Sequence, residues 1–364
     1  MIAEESFDVG PLASVPASVV AKDETGGNPG GAPLRVLASG ISKRLSFLNI
    51  SNRHFQQSFR KHPNRTFLEA TADSLVDRIF CSLSRDEHHT AAKAHSYKYS
   101  LEPVEIDCVS NAKAMIASYV SAEQKIRKDK EINELEGSVL KKLRSTLKFR
   151  EQYDVDSIRL SFGNEESNIH TPTSTSSIRE RIVERFSNKA MFVCGYSKDN
   201  IAIVQVFPGV DTSWDEDLFI KGTIYMVERA LACTERRTGG AKVKFMMCWN
   251  YNGYQMKNTP PISLVKRMFD ILGDHYPGKC ENVFLVDPPF IFKAFWKVVK
   301  HFVDPITSEC THLLKGESSK RRVLSEVVDD NQASVWMFKQ GGNNKEIDMN
   351  SFFYDIPFEY AYGE

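Results

Sequence analysis

The sequence predicts an α/β fold: a mixed, mainly parallel sheet with flanking helices, preceded by an all-helical region. Lys242 to Trp249 (KVKFMMCW) reads as a strand, and Val283 to Val286 forms an apolar, β-branched and aromatic run suited to a strand buried on both faces. Between them, Thr259-Pro260-Pro261 opens a helix with apolar positions at Val265, Met268, Phe269 and Leu272, and Pro277-Gly278 turns the chain back. Strand, helix and strand in that order make a βαβ crossover, which requires parallel or mixed pairing.

The next element follows from Asp287-Pro288-Pro289, which reads as an N-cap before prolines whose missing N–H groups cost a first helical turn nothing. The spacing predicts a helix from about Pro288. Phe292, Phe295, Val299 and Phe302 recur at intervals of three and four, with Ile291, Trp296 and Val298 beside them, while Lys293, Lys297, Lys300 and His301 fall opposite. Such a stripe suits an ordinary amphipathic helix packed on a core, and equally a movable lid over an apolar ligand. A short strand is expected after it.

The stretch HYPGKCENVFLVDPPFIFKAFWKVVKHFVDPITSECTHLL resembles the closing part of CRAL-TRIO domains, the lipid-binding module of phosphatidylinositol/phosphatidylcholine transfer proteins and of retinaldehyde- and tocopherol-binding proteins. Tyr276-Pro277, Val286-Asp287-Pro288-Pro289, Trp296 to Val303 and Asp304-Pro305-Ile306-Thr307 match the family's turn, strand end, gate helix and Asp-x-x-Thr turn. Tyr196 to Asn200 resembles the family's Lys-Asp-Gly turn, Asn250-Tyr251-Asn252-Gly253 its Asp-Leu-x-Gly, and Gly341-Gly342 its closing Gly-Gly. Leu147 to Arg150 resembles the end of its helical lead-in. The likeness spans about residues 150 to 342.

The resemblance implies an apolar cavity, floored by the sheet and roofed by a gate helix, that holds a phospholipid, a sterol or another hydrophobic small molecule and exchanges it at a membrane surface. Its expected lining is Phe245, Met247, Trp249, Phe284 and Val286 on the sheet with Phe292, Phe295, Trp296, Val299 and Phe302 on the gate. Lys293, Lys297 and Lys300 are the expected contacts to anionic headgroups. Phosphoinositide-binding members carry a Glu and a Lys where this chain has Gly278 and Cys310, which supply neither carboxylate nor cation. Phosphatidylcholine-binding members have small hydroxyl residues at positions that fall here on Phe245 and Met247, which favours a ligand without a polar group at that depth.

Composition bounds the rest. The 364 residues have a hydrophobic fraction of 41% and a formal net charge of zero, so bulk nucleic-acid binding is not expected. No apolar run reaches the roughly 18 residues of a membrane span, which predicts a cytoplasmic protein with peripheral membrane association. Seven scattered cysteines without zinc-site spacing suit a reducing compartment.

Four regions are expected: an N-terminal segment over 1–65, a helical lead-in over 66–165, the lipid-binding domain over 166–345 and a tail over 346–364. The first begins Ala-, Ser-, Gly- and Pro-rich and then collects Arg35, Lys43, Arg44, Arg53, Arg60, Lys61 and Arg65. It reads as disordered or as a docking site for a protein partner, with an interfacial helix on an anionic membrane as the alternative. Ala112 to Arg150 has long-helix composition with a packing face of Val139, Leu140, Leu143 and Leu147, and Gly163 to Ser177 reads as a polar loop.

Catalysis is not expected: the chain has no Gly-x-Ser-x-Gly elbow and no Walker loop, and Asp274-His275 has no nucleophile partner in the sequence. His88, His89 and His95 lack further ligands at metal spacing, and no cofactor is implied. The remaining functional alternative is a lipid-gated adaptor that recruits a partner through the N-terminal segment or the acidic, aromatic tail.

Overall fold

The computed structural model describes residues 65–95, 108–127, 131–162, 173–210, 214–290, 292, 296–297, 300–301, 303, 305–329 and 347–364. The expectations for the basic N-terminal segment, for Gly341-Gly342, and for Ile291, Lys293, Phe295, Val298, Val299 and Phe302 lie outside the described residues.

Helices α1 (Arg65–Cys81), α2 (Arg85–His95), α3 (Cys108–Ile126) and α4 (Ile132–Gln152) form the lead-in. The long-helix stretch predicted from Ala112 to Arg150 is therefore two helices, α3 and α4. They bury Leu75, Ile79, Ile116, Tyr119, Val139 and Leu143 in a core of their own. His88 stacks on Phe80 with ring centroids 4.0 Å apart, so it serves this core. Short α5 (Val155–Leu160) and α6 (Thr173–Phe186) follow. The predicted polar loop ends early, because Thr173 already starts α6.

The sheet has the order β1 (Met191–Tyr196), β2 (Ala202–Val206), β3 (Phe245–Asn250), β4 (Cys280–Val286) and β5 (Thr311–Leu314). Only β1 and β2 run antiparallel; the other pairs are parallel. Their tight link needs the left-handed backbone of Asn200 (φ 60°). Between β2 and β3 runs α7 (Glu216–Arg237), whose N-cap Asp215 accepts the Leu218 N–H at 3.0 Å. α8 (Ile262–His275) joins β3 to β4, and α9 (Pro305–Glu309) precedes β5.

Alternation along the strands divides two cores. Ala202, Val204, Val206, Phe245, Met247, Val283 and Leu285 face the main core with α7. Ile201, Ile203, Met246, Cys248, Phe284 and Val286 face the other side, where Leu314 and α10 (Glu317–Val327) with its Leu324 close over them.

The C-terminal segment is part of the main core. Phe352, Phe353 and Phe358 are buried, and the buried Arg229 of α7 donates to the carbonyls of Phe352 (2.8 Å), Ile356 (3.2 Å) and Tyr360 (3.1 Å). This corrects the reading of the acidic, aromatic tail as a free docking segment: its aromatics fill the space beside α7, at a polar cost met by one guanidinium.

A buried ionic cluster ties the lead-in to the sheet. Arg150 of α4 pairs with Glu228 of α7 at 2.8 Å and with Asp156 at 2.9 Å, and the Tyr276 hydroxyl donates to the same Glu228 at 2.8 Å. Burial pushes the Asp156 carboxyl up, but Arg150 and Arg159 beside it hold it below its usual value. Arg150 is the residue that ended the motif matched at Leu147 to Arg150.

Candidate functional site: an uncharged cavity at the sheet's C-terminal edge

A cavity of about 280 Å³ lies on the α8 face of the sheet. Met247 and Trp249 of β3 and Val283 and Leu285 of β4 form its floor, and Val265, Met268, Phe269 and Leu272 of α8 form one wall. Phe186, Met191, Val206, Phe207, Trp214 and Phe219 enclose it from the β1–β2 side. Pro289, Phe292 and Trp296, from the segment after β4, line another side. Among the described residues, no charged side chain lines it.

Local sequence explains its shape. Gly209, after β2, lies where a Cβ would come within 2.7 Å of the Asn252 carbonyl, so only glycine lets this loop press on the Asn252–Tyr254 turn. That turn carries Gly253 at φ +75° and presents Tyr251 and Tyr254 to the cavity. Tyr251 packs on Tyr254 (5.6 Å between ring centroids) and on Phe292 (5.2 Å), and Phe292 stacks on Trp296 at 6.0 Å. The Tyr254 hydroxyl is bonded to Thr259.

Of the predicted lining, Met247, Trp249, Phe292 and Trp296 do border the cavity. Phe245 faces the same side but is closed over in the main core. Phe284 and Val286 are corrections: they point to the α10 side, because successive residues of a strand alternate between faces. Val283 and Leu285 take their places. A period-2 count from Met247 and its partner Val283 in the parallel ladder would have found them. The aromatic wall from Phe207, Trp214, Phe219, Tyr251 and Tyr254 carries no sequence periodicity, since it comes from separate loops and the start of α7.

Asp287 is also corrected. It is not an N-cap but sits at φ +49°, accepting from the Gly316 N–H (3.3 Å) and from Lys320 (2.7 Å) of α10. Each residue before a proline is disfavoured in the helical region, so Asp287 and Pro288 stay out of a helix. Phe292, Trp296 and Lys297 are helical, and Lys297 and Lys300 are exposed.

Four large apolar side chains stand exposed near this edge of the sheet: Val210, Met256, Ile262 and Phe290, the last 83% exposed. They lie on the connections leaving β2, β3 and β4, which are parallel and so end at one edge of the sheet.

Gly278 takes φ +68°, a left-handed turn position, and the Cys310 thiol donates to the Thr307 carbonyl at 3.3 Å. Beside Gly278 a second recess of about 290 Å³ is bordered by Glu123, Asp270 and Asp274 with Lys142 and His301. Lys142 is ion-paired to Glu123 at 2.6 Å. His275, next to Asp274, is bonded through Nδ1 to the Thr146 hydroxyl at 2.9 Å and stacks on Phe149, so packing accounts for it. Among the described residues, no three metal-ligating side chains converge.

With this geometry in view, the similarity to known proteins is specific: the model of the family described as CRAL/TRIO domain matches residues 186–335. These residues are a CRAL/TRIO domain. A CRAL-TRIO domain-containing protein of Saccharomyces cerevisiae is 27% identical over 132 residues, 36% of this chain and 41% of that protein. The phosphatidylinositol/phosphatidylcholine transfer protein SFH9 of Arabidopsis thaliana is 34% identical over 82 residues, 22% of this chain and 13% of its own length. The chain thus spans less than half the length of these curated relatives. The crystal structure of Sfh5 aligns with a TM-score of 0.43 at 14% identity, covering 65% of this chain and 78% of that one. The CRAL/TRIO match takes in β1 to β5 and the segment from Pro288 to Val303, while the buried Phe352 and Phe353 of the main core lie beyond it. Among the described residues, no helix is long and apolar enough to cross a membrane.

Proposed function

We propose that the chain binds one hydrophobic molecule in this cavity and exchanges it at a membrane surface, with the segment from Pro288 to Val303 as the gate. The observation that carries the reading is the cavity itself: about 280 Å³ bordered, among the described residues, mainly by aromatic and aliphatic side chains and by no charged one. That volume lies near the lower end of the roughly 300–1,000 Å³ of small-molecule sites, so the enclosed part of the ligand is compact and neutral. Membership of the CRAL/TRIO family, and a relative named as a phospholipid transfer protein, support lipid as the ligand class.

Phosphoinositide is the less favoured lipid. The positions expected to meet its phosphates are Gly278 and Cys310, and the recess beside Gly278 has three carboxylates with its lysine already paired. A sterol, an isoprenoid or a similar neutral molecule fits better.

Opening the gate exposes at least Phe292 and Trp296, at about 1.5–3 kcal/mol each, so opening in water is rare. A bilayer removes that cost. The exposed Val210, Met256, Ile262 and Phe290 would enter its surface, and Lys297 and Lys300 would each add about 1 kcal/mol if the lipids are anionic. The helical lead-in braces the domain through Arg150 and Glu228.

The test is a Trp296→Asp variant loaded with the fluorophore N-phenyl-1-naphthylamine and mixed with vesicles. A charge at the cavity wall should weaken dye retention by more than tenfold and speed its loss to vesicles. Unchanged retention and release would show that this segment is no gate.

A further inference from the structure

Among the polar groups on the cavity wall, the Tyr251 hydroxyl can both donate and accept and has no role in the fold. The Tyr251 ring lines the cavity, held between Tyr254 and Phe292, yet its hydroxyl bonds to no protein group among the described residues. The neighbouring Tyr254 shows the contrast, since its hydroxyl is tied to Thr259. Thr311, also on the wall, is spent on the Thr307 carbonyl at 2.7 Å. Burial raises the Tyr251 pKa well above its ordinary value, so the phenol stays protonated and able to donate at any physiological pH.

From this geometry we infer that Tyr251 is the polar anchor of the site, donating a hydrogen bond to a single neutral oxygen, a hydroxyl, carbonyl or ether, on an otherwise apolar ligand. The inference rests on the ligand-binding reading above and sharpens it. A phenol both donates and accepts, so it can serve an alcohol as well as an aldehyde or ester. A hydroxyl shielded from water without a partner is costly, and a pure hydrocarbon filling the cavity would leave it so. An oxygen-bearing ligand satisfies it. A carboxylate or phosphate fits poorly, because among the described residues no cation lines the cavity to offset its burial.

The position also sets the ligand's direction. Tyr251 follows β3 directly, at the same edge as Met256 and Phe290 on the rim. The oxygen of the ligand therefore lies toward the mouth, and its hydrocarbon runs down over Met247 and Leu285. A lipid lifted oxygen-last from a bilayer would keep that orientation.

The test compares two probes of nearly equal size, farnesol and the hydrocarbon farnesene, by displacement of N-phenyl-1-naphthylamine from the wild-type chain and from Tyr251→Phe. The ratio of the two affinities within one protein is the readout, because a general loss of stability would not alter it; thermal unfolding of both proteins is followed in parallel. The expected result is a roughly tenfold preference for farnesol in the wild type that falls to near parity in Tyr251→Phe with farnesene affinity retained. Equal affinity of the wild type for both probes, or a preference that survives Tyr251→Phe, would overturn the anchor while leaving the cavity reading intact. Failure of the dye and both probes to bind at all would overturn the cavity reading, and this inference with it.

Discussion

The two faces of the central sheet are built from alternate residues of the same strands, yet one forms a buried packed cluster and the other borders a cavity. On the α10 side, Met246, Cys248, Phe284 and Val286 pack with Leu314, Leu324 and Val328 in one buried cluster, and Lys320 seals the strand end through Asp287. On the α8 side, Met247, Trp249, Val283 and Leu285 border about 280 Å³ of apolar space. The difference teaches that sequence neighbours such as Phe284 and Leu285 have separate duties. One face is devoted to stability, while the other gives up packing that a ligand can restore.

The sharpest way to break this comparison is to truncate one residue on each face. Phe284→Ala should cost about 3–5 kcal/mol in denaturant unfolding, because it opens a hole in a filled core, and should leave the farnesol affinity of the folded protein unchanged. Leu285→Ala should cost less, about 2–3 kcal/mol, since its side chain already borders free space, and should change probe affinity. If the two variants lost stability equally and neither altered binding, the division of duties would fail.

Gly222 offers a gentler probe of the cavity wall. A Cβ there would collide with the ring of Phe186, which lines the cavity, so Gly222→Ala should push that ring inward. The expected cost is about 1–3 kcal/mol, with weaker dye binding from the reduced space. Unfolding curves and dye titration on the same sample would check both.

The smallest effect expected is on pH dependence, and it belongs to the lead-in side. Burial lowers the His275 pKa to about 4, and burial together with the nearby Lys279 lowers that of His95 to about 3. Both stay neutral in the folded chain while the unfolded chain takes up protons near pH 6.5. Stability present above pH 6.5 should therefore be lost progressively as pH falls from about 6.5 toward 4, seen as a declining Tm. His275→Gln should flatten that decline, and an unaltered slope would remove His275 as a contributor.

Much of the fold was legible because its signals are local. The apolar run ending at Val286, the prolines opening α8 and the Pro277-Gly278 turn give the βαβ order, and the motif matches point to the domain that the CRAL/TRIO match covers. The faces of β4 were misassigned because a continuous apolar run hides its own alternation: only the ladder with β3 shows that Leu285, not Phe284, looks into the cavity. Asp287 carried a capping signature that two following prolines overrode. The role of Phe352 and Phe353 was hidden because an aromatic segment looks the same whether it meets a partner or its own core. What decided it was Arg229, a charge in the middle of α7 whose carbonyl partners lie more than a hundred residues away.

The central claim is that the cavity holds one neutral lipid. The most direct measurement is to incubate the purified chain with vesicles of mixed sterol, isoprenoid and phospholipid composition, re-isolate it, and identify what it retains by mass spectrometry of the intact complex and of its organic extract. The account predicts one molecule per chain, uncharged and bearing an oxygen. An empty protein, or one carrying an anionic phospholipid at full occupancy, would contradict it.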